Sequence, residues 1–513
     1  MKQTTILLAI AVILVALAGC PSLFEKEEAP VVEKTSGPSG TIFVDTSVFE
    51  WKGSAPDSNI QRYEYRKNEE AGEWIEHGLN TQYTWSNYST GSHTFEVRAF
   101  DDQGLESNTV KWEFTYEEEI DISDSIVSGG HNHTVVLKHD GTVWTWGGNT
   151  FGQLGDGTQT DRYTPVQVVG TDGDEFLANI VAVAAGDLYS MVLKDDGTVW
   201  TWGSNTYGQL GDGTTQDKDT PVQVIGEDGE EHLTDIVAIA AEGHSVALRE
   251  DGTVWTWGSN DSGQLGDGTT EDRDTPVQVI APNGDGVLEN IVAIAAGRFH
   301  TMALEQDGTV WTWGRNGGVL GDGTETNRHI PVKVKSFESE EALEEIVFVA
   351  GSDHTLAVKD EGTVFSWGNN LHGQLGDGTT EDKNAAVQVK GPEGEEDLTE
   401  ISLVETGREH SIALKDEGTV WTWGNNQRGQ LGNGTNSPSS FPVQVKAPDG
   451  EDDLEEVLVV AAGTNHSIAV KADGSIWTWG RNWDGQLGNG SNDDTTLPVQ
   501  VLGEDGEGNF FLW

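Results

Sequence analysis

The chain has 513 residues, with 29 Lys and Arg against 86 Asp and Glu, a formal net charge of −57. That length allows two or three domains, or a repeat array with an accessory module. Because phosphate recognition depends on clustered Lys and Arg, so acidic a chain argues against nucleic-acid and nucleotide partners and favours an uncharged or cationic one. The 65 glycines and 19 tryptophans indicate many short strands joined by tight turns. A single cysteine excludes an intramolecular disulfide.

The N-terminus has the features of an export signal. Lys2 precedes an apolar run that ends at Ala18 and is shorter than the roughly 20 residues of an ordinary membrane span. The end of this run, Leu17-Ala18-Gly19-Cys20, resembles the bacterial lipobox, which implies that Cys20 is lipidated and begins the mature chain. We therefore expect a lipoprotein signal peptide over 1–19 and an anchor in a bacterial membrane, the outer membrane or cell surface rather than the inner membrane. The alternative is a conventional signal peptide that ends near a cysteine.

A small β-module should follow a tether. Residues 20–39 mix Pro, Glu, Lys and Ser, which predicts a flexible, solvated segment. Residues 40–117 alternate apolar and polar side chains in six or seven short runs, which fits an immunoglobulin-like or fibronectin-type β-sandwich. The string G-S-H-T-F-E-V-R-A-F-D-D-Q-G resembles a strand and turn of bacterial Ig-like extracellular modules. The favoured role is a spacer, and glycan binding is the alternative.

A repeat fills the rest of the chain, residues 125–513, after a linker over 118–124. The hexapeptide T-V-W-T-W-G or a near copy occurs seven times at a period of about 55 residues. The copies end at Gly147, Gly203, Gly258, Gly314, Gly368, Gly424 and Gly480. Four strand-like runs per unit at this period are typical of a β-propeller with one blade per repeat. We therefore predict an all-β protein, a seven-bladed propeller preceded by the small Ig-like sandwich.

The repeat motifs also carry a family resemblance. H-S-x-A-L, W-T-W-G-x-N-x-x-G-Q-L-G and P-V-Q-V resemble the regulator of chromosome condensation repeat, whose family forms seven-bladed propellers. Unit four reads W-G-R-N-G-G-V-L-G, so its turn near Gly317 should differ from the others. The small, apolar I-V-A-I-A-A-G run suits the crowded innermost strand. The tryptophans of W-T-W should pack against the neighbouring blade, and the second of each pair is Trp146, Trp202, Trp257, Trp313, Trp367, Trp423 or Trp479.

Closure of the ring can also be predicted. The first unit opens at an innermost strand near Ile126, and the last ends at an outer strand near Val501. Each blade is thus complete in sequence and needs no strand from another blade. The aromatic tail, residues 510–513, should cap the seam between blades seven and one.

Histidines and carboxylates recur at fixed positions of the repeat and are candidate metal ligands. Six histidines share one repeat position, namely His133, His244, His300, His354, His410 and His466, with Tyr189 in the second unit. A metal ring is one interpretation, but zinc needs ligands within about 2.0–2.3 Å of one ion, so we favour hydrogen bonding within each blade. The acidic loops could suggest calcium, yet they lack the EF-hand spacing. We expect no metal and no cofactor.

The sequence favours binding over catalysis. It has no nucleophile elbow, zinc-protease helix, phosphate-binding glycine loop or cysteine nucleophile, so we predict that the protein is not an enzyme. Loop residues that vary while the surrounding repeat stays constant are not needed for packing, so they can contact a binding partner. The aromatic ones, Phe151, Tyr207, Phe299 and Trp483, form the candidate binding face.

The leading hypothesis is a monomeric, lipid-anchored scaffold for an unknown protein partner. The alternatives are a glycan-binding adhesive module and an inhibitor of a secreted enzyme such as a β-lactamase, an activity found among bacterial relatives. The family's best-known member is a nuclear guanine-nucleotide exchange factor, and the export signal and the acidity argue against that role here.

Overall fold

A computed structural model describes residues 29–512, apart from 37–39, 43–45, 57, 69–73, 87–90, 117–125, 171–174, 227–228, 230, 338–340 and 505. The chain divides into two compact units, residues 1–121 and 122–513. The described residues contain strands and turns but no α-helix.

The first unit contains two sheets that share one core. Its strands are β1 (Val31–Ser36), β2 (Gly40–Ile42), β3 (Thr46–Ser54), β4 (Ile60–Lys67), β5 (Ile75–Gly78), β6 (Gln82–Ser86), β7 (Gly91–Asp101) and β8 (Val110–Tyr116). The sheet orders are β1-β3-β6 and β2-β8-β7-β4-β5. Phe49 and Trp51 of the first sheet pack against Phe95 and Trp112 of the second. Strand β1 lies within the segment predicted to be a tether, so the packed module begins earlier than residue 40.

The second unit contains seven four-stranded antiparallel sheets, one per repeat, which we call blades 1 to 7. Blades 1 to 3 are β9 (Val127–Gly129), β10 (His133–Leu137), β11 (Val143–Gly147), β12 (Arg162–Gln167); β13 (Ile180–Ala185), β14 (Tyr189–Lys194), β15 (Val199–Gly203), β16 (Lys218–Gln223); and β17 (Ile236–Ala241), β18 (His244–Arg249), β19 (Val254–Gly258), β20 (Arg273–Gln278). Blades 4 and 5 are β21 (Ile291–Ala296), β22 (His300–Glu305), β23 (Val310–Gly314), β24 (Arg328–Lys333); and β25 (Ile346–Gly351), β26 (His354–Lys359), β27 (Val364–Gly368), β28 (Lys383–Gln388). Blades 6 and 7 are β29 (Ile401–Thr406), β30 (His410–Lys415), β31 (Val420–Gly424), β32 (Ser439–Gln444); and β33 (Val457–Ala462), β34 (His466–Lys471), β35 (Ile476–Gly480), β36 (Thr495–Gln500).

The blades close into a ring around a central channel. The first strands of consecutive blades contact one another, and β33 of blade 7 contacts β9 of blade 1. At that seam the Thr464 N–H donates to the Gly130 carbonyl at 3.1 Å. Their Ala-rich sequences let the first strands crowd the axis, where they line a cavity of about 290 Å³. The expected all-β propeller is confirmed, and every blade uses four consecutive strands.

The C-terminal segment joins blade 7 to blade 1. The Leu512 N–H donates to the Gly474 carbonyl of blade 7 at 3.0 Å, and its carbonyl accepts from His139 of blade 1 at 3.2 Å. The Phe510 ring lies 5.5 Å from the Trp144 ring and 6.1 Å from the Trp146 ring. Phe510 and Leu512 are buried, so this segment covers the seam, as the sequence predicts.

Two opposite faces result from this topology. The upper face carries the turns that join the first strand to the second and the third strand to the fourth. The lower face carries the tight turns between the second and third strands and the acidic loops that lead to the next blade. Every candidate binding residue predicted from the sequence lies on the upper face.

Candidate functional site

The repeat histidines join neighbouring blades. His133 lies at the start of the second strand of blade 1, and its Nε2 is 3.1 Å from Ser190 Oγ in blade 2. The same contact recurs at His244–Thr301, His300–Thr355, His354–Ser411, His410–Ser467 and His466–Thr134, while Tyr189 of blade 2 donates to Ser245 of blade 3. The bonds form a closed ring of seven, so the expectation of bonding within each blade is wrong. The second strand of each blade begins at the upper face, and its first side chain points toward the neighbouring blade.

The chemistry of these contacts assigns the histidine tautomer. Ser190 Oγ–H donates to the Gln153 carbonyl at 2.8 Å, so its oxygen accepts a hydrogen bond from His133 Nε2–H. The indole N–H of Trp202 donates to the same carbonyl at 2.9 Å. Burial lowers the pKa of His133 to about 3, so the ring is neutral at physiological pH. These groups therefore serve the frame of the propeller.

The seven second tryptophans are fully buried against the preceding blade. Their indole N–H groups donate across the blade boundary to the carbonyl of Gln486, Gln153, Gln209, Gln264, Val319, Gln374 or Gln430. Blade 4 supplies Val319 because its turn lacks the glutamine. There two adjacent residues, Gly317 and Gly318, both have positive φ, which confirms that this turn differs.

The carboxylates of the upper-face loops already have partners inside their own loop. In blade 1 the Asn149 side-chain amide donates to Asp156 Oδ1 at 3.2 Å and to the Thr158 and Thr160 carbonyls at 3.0 and 3.1 Å. Arg162 pairs with the other oxygen of Asp156 at 2.6 Å. An amide nitrogen thus occupies the place that a cation would need. Among the described residues there is no group of three or more His, Cys, Asp or Glu that could hold a metal ion.

The upper face combines this fixed frame with variable side chains. The buried Gln209 accepts the Tyr207 backbone N–H through Oε1 at 3.0 Å, and Gln153 holds Phe151 in the same way at 2.9 Å. The backbone of the variable turn residue is therefore held in place by a bond that does not involve its side chain, so the side chain can differ from blade to blade. Tyr207, Trp483 and Leu371, at the same turn of blades 2, 7 and 5, are 47–69 % exposed. Phe151 and Phe299 are half-buried.

Two of the predicted aromatic residues lie between arginines. The guanidinium carbons of Arg428 and Arg481 lie 4.2 and 4.9 Å from the centre of the Trp483 ring. Those of Arg298 and Arg315 lie 5.0 and 5.1 Å from the Phe299 ring. The two clusters lie on different blades, so the structure does not bring all four predicted aromatics into one contact. It places them around one face.

The upper mouth of the channel contains an unexpected glutamate. Glu242 of blade 3 reaches past blade 4, and its carboxyl lies 3.2 Å from Ser352 Oγ of blade 5. Burial and the neighbouring Asp187 carboxylate raise the pKa of Glu242 well above its usual range. The sequence signal was available, because blade 3 reads A-A-E-G where blades 2, 4 and 7 read A-A-G.

The predicted lipidation site, Cys20, and its signal peptide lie outside the described residues. Within the part of the chain that is described, no helix has the length and apolar character to span a bilayer.

Comparison with known proteins identifies both units. The RCC1-like domain matches residues 88–396 and 174–509, and the Y_Y_Y domain matches residues 55–117. The chain is 35 % identical over 387 residues to the ultraviolet-B receptor UVR8 of Arabidopsis thaliana, covering 74 % of this chain and 82 % of that protein. It is 29 % identical over 393 residues to Protein pim1 of Schizosaccharomyces pombe, covering 70 % of each.

A solved structure shares the fold. Prp20p of Saccharomyces cerevisiae superposes with a TM-score of 0.59 at 22 % identity, over 74 % of this chain and 88 % of that one. The family match and the similarity to UVR8 agree with the seven-bladed ring and show that this chain belongs to the RCC1-like domain family.

Proposed function

We propose that the protein is a non-catalytic scaffold whose upper face recognises a protein partner. The observation that carries this proposal is the separation of roles on that face. Buried glutamines and asparagines fix the turn backbones, while exposed side chains of different chemistry occupy the turn positions. A rigid frame lowers the entropic cost of binding.

The composition of the face favours a protein ligand over a sugar. Trp483 is stacked by Arg428 and Arg481, and aromatic–arginine clusters are typical of the energetically dominant residues of protein interfaces. A fully open aromatic platform would suit a sugar better, because the two guanidinium groups take up part of the Trp483 ring surface. The similar yeast protein Prp20p binds protein partners, namely Gsp1p, histones and Kap60.

The proposed setting is the bacterial cell envelope, with a lipid on Cys20 as the anchor. The support is the N-terminal sequence, in which the one cysteine of the chain follows an apolar run and two small residues. Replacing Cys20 with Ser should move the protein from the membrane fraction to the soluble fraction of its host and abolish incorporation of labelled palmitate. Unchanged membrane association of the variant would contradict the anchor.

The recognition proposal is tested by proximity labelling from the full chain in its host. A variant with Tyr207→Ser, Leu371→Ser and Trp483→Ser should lose its specific neighbours, while its melting temperature stays within a few degrees, because blade 3 carries Asp261 and Ser262 at these turn positions. A matched control carries Phe337→Ser, an exposed aromatic on a loop of the lower face. Identical neighbours for all three proteins would contradict the proposal, and sugar binding on a glycan array that disappears with Trp483→Ala would replace it.

A further inference from the structure

Each first strand of blades 2 to 7 begins with a β-bulge. The pairing register shifts between the first and third residues, as between Ile236 and Ala238 in blade 3, so the second residue has no partner in the ladder. The same shift occurs in blades 2, 4, 5, 6 and 7. A bulge re-aims the side chain of the unpaired residue. Here it exposes a residue that the apolar sequence of the strand would assign to the core.

The exposed residues are aliphatic in five of these six blades. They are Val181, Val237, Val292, Val347 and Leu458, and each is 40–53 % exposed. We call this set the aliphatic ring. Its members lie at the lower ends of the innermost strands, and Val292 lines the axial cavity. Because consecutive first strands contact one another, the ring surrounds the lower mouth of the channel. Blade 6 carries the exposed Ser402 at the same position.

Carboxylates surround the aliphatic ring. Asp235, Glu345, Glu400 and Glu456 immediately precede their first strands, are exposed and have positive φ. Each is paired with one cation of the second strand, at Arg249, Lys359, Lys415 or Lys471. Further exposed carboxylates lie one position earlier in the repeat, at Glu289 of blade 4, Glu344 of blade 5 and Glu455 of blade 7, and the adjacent tight turns add more acidic residues. The surroundings of the ring are therefore negative.

An apolar centre inside a charged rim is the usual anatomy of a protein interface. Exposed aliphatic side chains that recur on neighbouring blades, here blades 2 to 5, mark an interaction site more often than single exposed residues do. The carboxylates around the aliphatic ring and the total charge of −57 favour a partner of positive charge. A cationic partner is attracted over long range, whereas an anionic membrane surface or an acidic protein is repelled.

We propose that the lower face is a second docking surface, which takes a basic amphipathic segment of a partner protein. Two or three clustered apolar side chains of that segment would cover the aliphatic ring, and flanking Lys or Arg would pair with the carboxylate rim. This surface is independent of the upper face, because no residue is shared between them.

The test uses the full chain and three synthetic helical peptides of equal length, measured by fluorescence anisotropy at 150 mM NaCl. The Lys/Leu peptide is amphipathic and basic, the Glu/Leu peptide keeps the apolar face and reverses the charge, and the Lys/Ser peptide keeps the charge without the apolar face. The Lys/Leu peptide should bind at least about tenfold more tightly than either control, because apolar contact and charge are both required.

Variants locate the site. A variant that combines Val237→Ser, Val292→Ser and Val347→Ser should bind the Lys/Leu peptide at least about tenfold more weakly than the parent chain. Folding should survive, because blade 6 already has Ser402 at this position, and the melting temperature checks it. The matched control, Tyr207→Ser with Leu371→Ser and Trp483→Ser on the upper face, should bind the peptide like the parent chain.

Several outcomes would overturn the proposal. Equal binding of the Lys/Ser peptide would reduce the interaction to charge alone, and equal binding of the Glu/Leu peptide would remove the role of the rim. Undiminished binding by the folded valine-to-serine variant would place the site elsewhere. Binding of anionic lipid vesicles that depends on the three valines would assign the surface to a membrane. None of these results bears on the upper-face proposal, because the upper-face variant serves here only as the control.

Discussion

At the scale of single residues, a glycine and a tryptophan of adjacent blades make a tightly constrained contact. Gly211 has φ of +66°, and a Cβ added there would lie 2.7 Å from Trp257 Nε1. That indole is fully buried and donates to the Gln209 carbonyl at 2.9 Å. Backbone strain and steric overlap therefore coincide at one position.

Gly211→Ala should lower the free energy of unfolding by about 2–4 kcal/mol, since left-handed backbone strain and overpacking each cost about 1–3 kcal/mol. Gly284→Ala is the matched control, because its φ of +79° is similar and no atom lies within 4 Å of the added Cβ. The control should lose only about 1–2 kcal/mol. Urea titrations of the two variants measure the difference, and equal losses would contradict the predicted clash.

The buried histidines make stability depend on pH. Burial lowers the pKa of His133, His244, His354, His410 and His466 to about 3 and that of His300 to about 4. Unfolded histidine has a pKa of about 6.5, so below that pH the unfolded chain binds more protons than the folded one. The stability is complete above about pH 6.5 and falls as the pH drops toward 4.

Urea midpoints between pH 7.5 and 5 should therefore decrease, measured in high salt to screen the repulsion among carboxylates. His410→Tyr copies Tyr189 of blade 2 and should reduce the proton uptake on unfolding by about one of six protons. A midpoint that does not change with pH would show that the histidines titrate alike in both states.

At the scale of the element, the upper-face loops carry a charge pair that varies among blades. In blade 3 Arg273 Nη2 lies 2.8 Å from Asp267 Oδ2. The pair recurs in blades 1, 2, 4 and 5. Blades 6 and 7 replace the aspartate with Asn433 or Asn489 and the cation with Ser439 or Thr495. Both charges are lost together, so the uncharged loop is an alternative that this chain already uses.

Arg273→Ser should destabilise the protein by about 1–2 kcal/mol, because it leaves the buried Asp267 carboxylate without its cation. Adding Asp267→Asn should recover most of that loss, since the double variant copies blade 6. A double-mutant cycle of unfolding free energies measures the coupling. Additive losses would mean that the two side chains do not depend on each other.

The strand pattern could be predicted from the sequence because one motif set is repeated seven times, and each copy supports the others. The hydrogen bonds between blades could not be predicted, because a histidine at a fixed repeat position does not indicate whether its partner lies in its own blade or in the next. The bulged valines were also missed, because Val237 lies in an apolar run that is typical of a core strand. Bulges depend on the backbone before the strand, and the positive φ of Asp235 is not evident from residue type.

At the scale of the whole molecule, the C-terminal segment holds the ring closed. Phe510 packs on Trp144 and Trp146 of blade 1, while its backbone N–H donates to Val501 of blade 7 at 3.0 Å. Deleting residues 510–513 should therefore lower the melting temperature by several degrees, since removal of a buried phenylalanine alone costs about 3–5 kcal/mol. Phe511→Ala, at an exposed position of the same segment, is the control. An unchanged melting temperature after the deletion would refute this role.

The ring of hydrogen bonds between blades has a consequence for how such a gene can change. Near-identical tandem units invite unequal recombination, which adds or removes whole copies. In this disc every unit donates an indole N–H to the unit before it and a His or Tyr hydrogen to the unit after it. A product with six or eight copies must therefore bend all of its joints or leave these donors and their acceptors unpaired at a gap. Selection on folding alone would then keep the copy number at seven while the individual turns diverge.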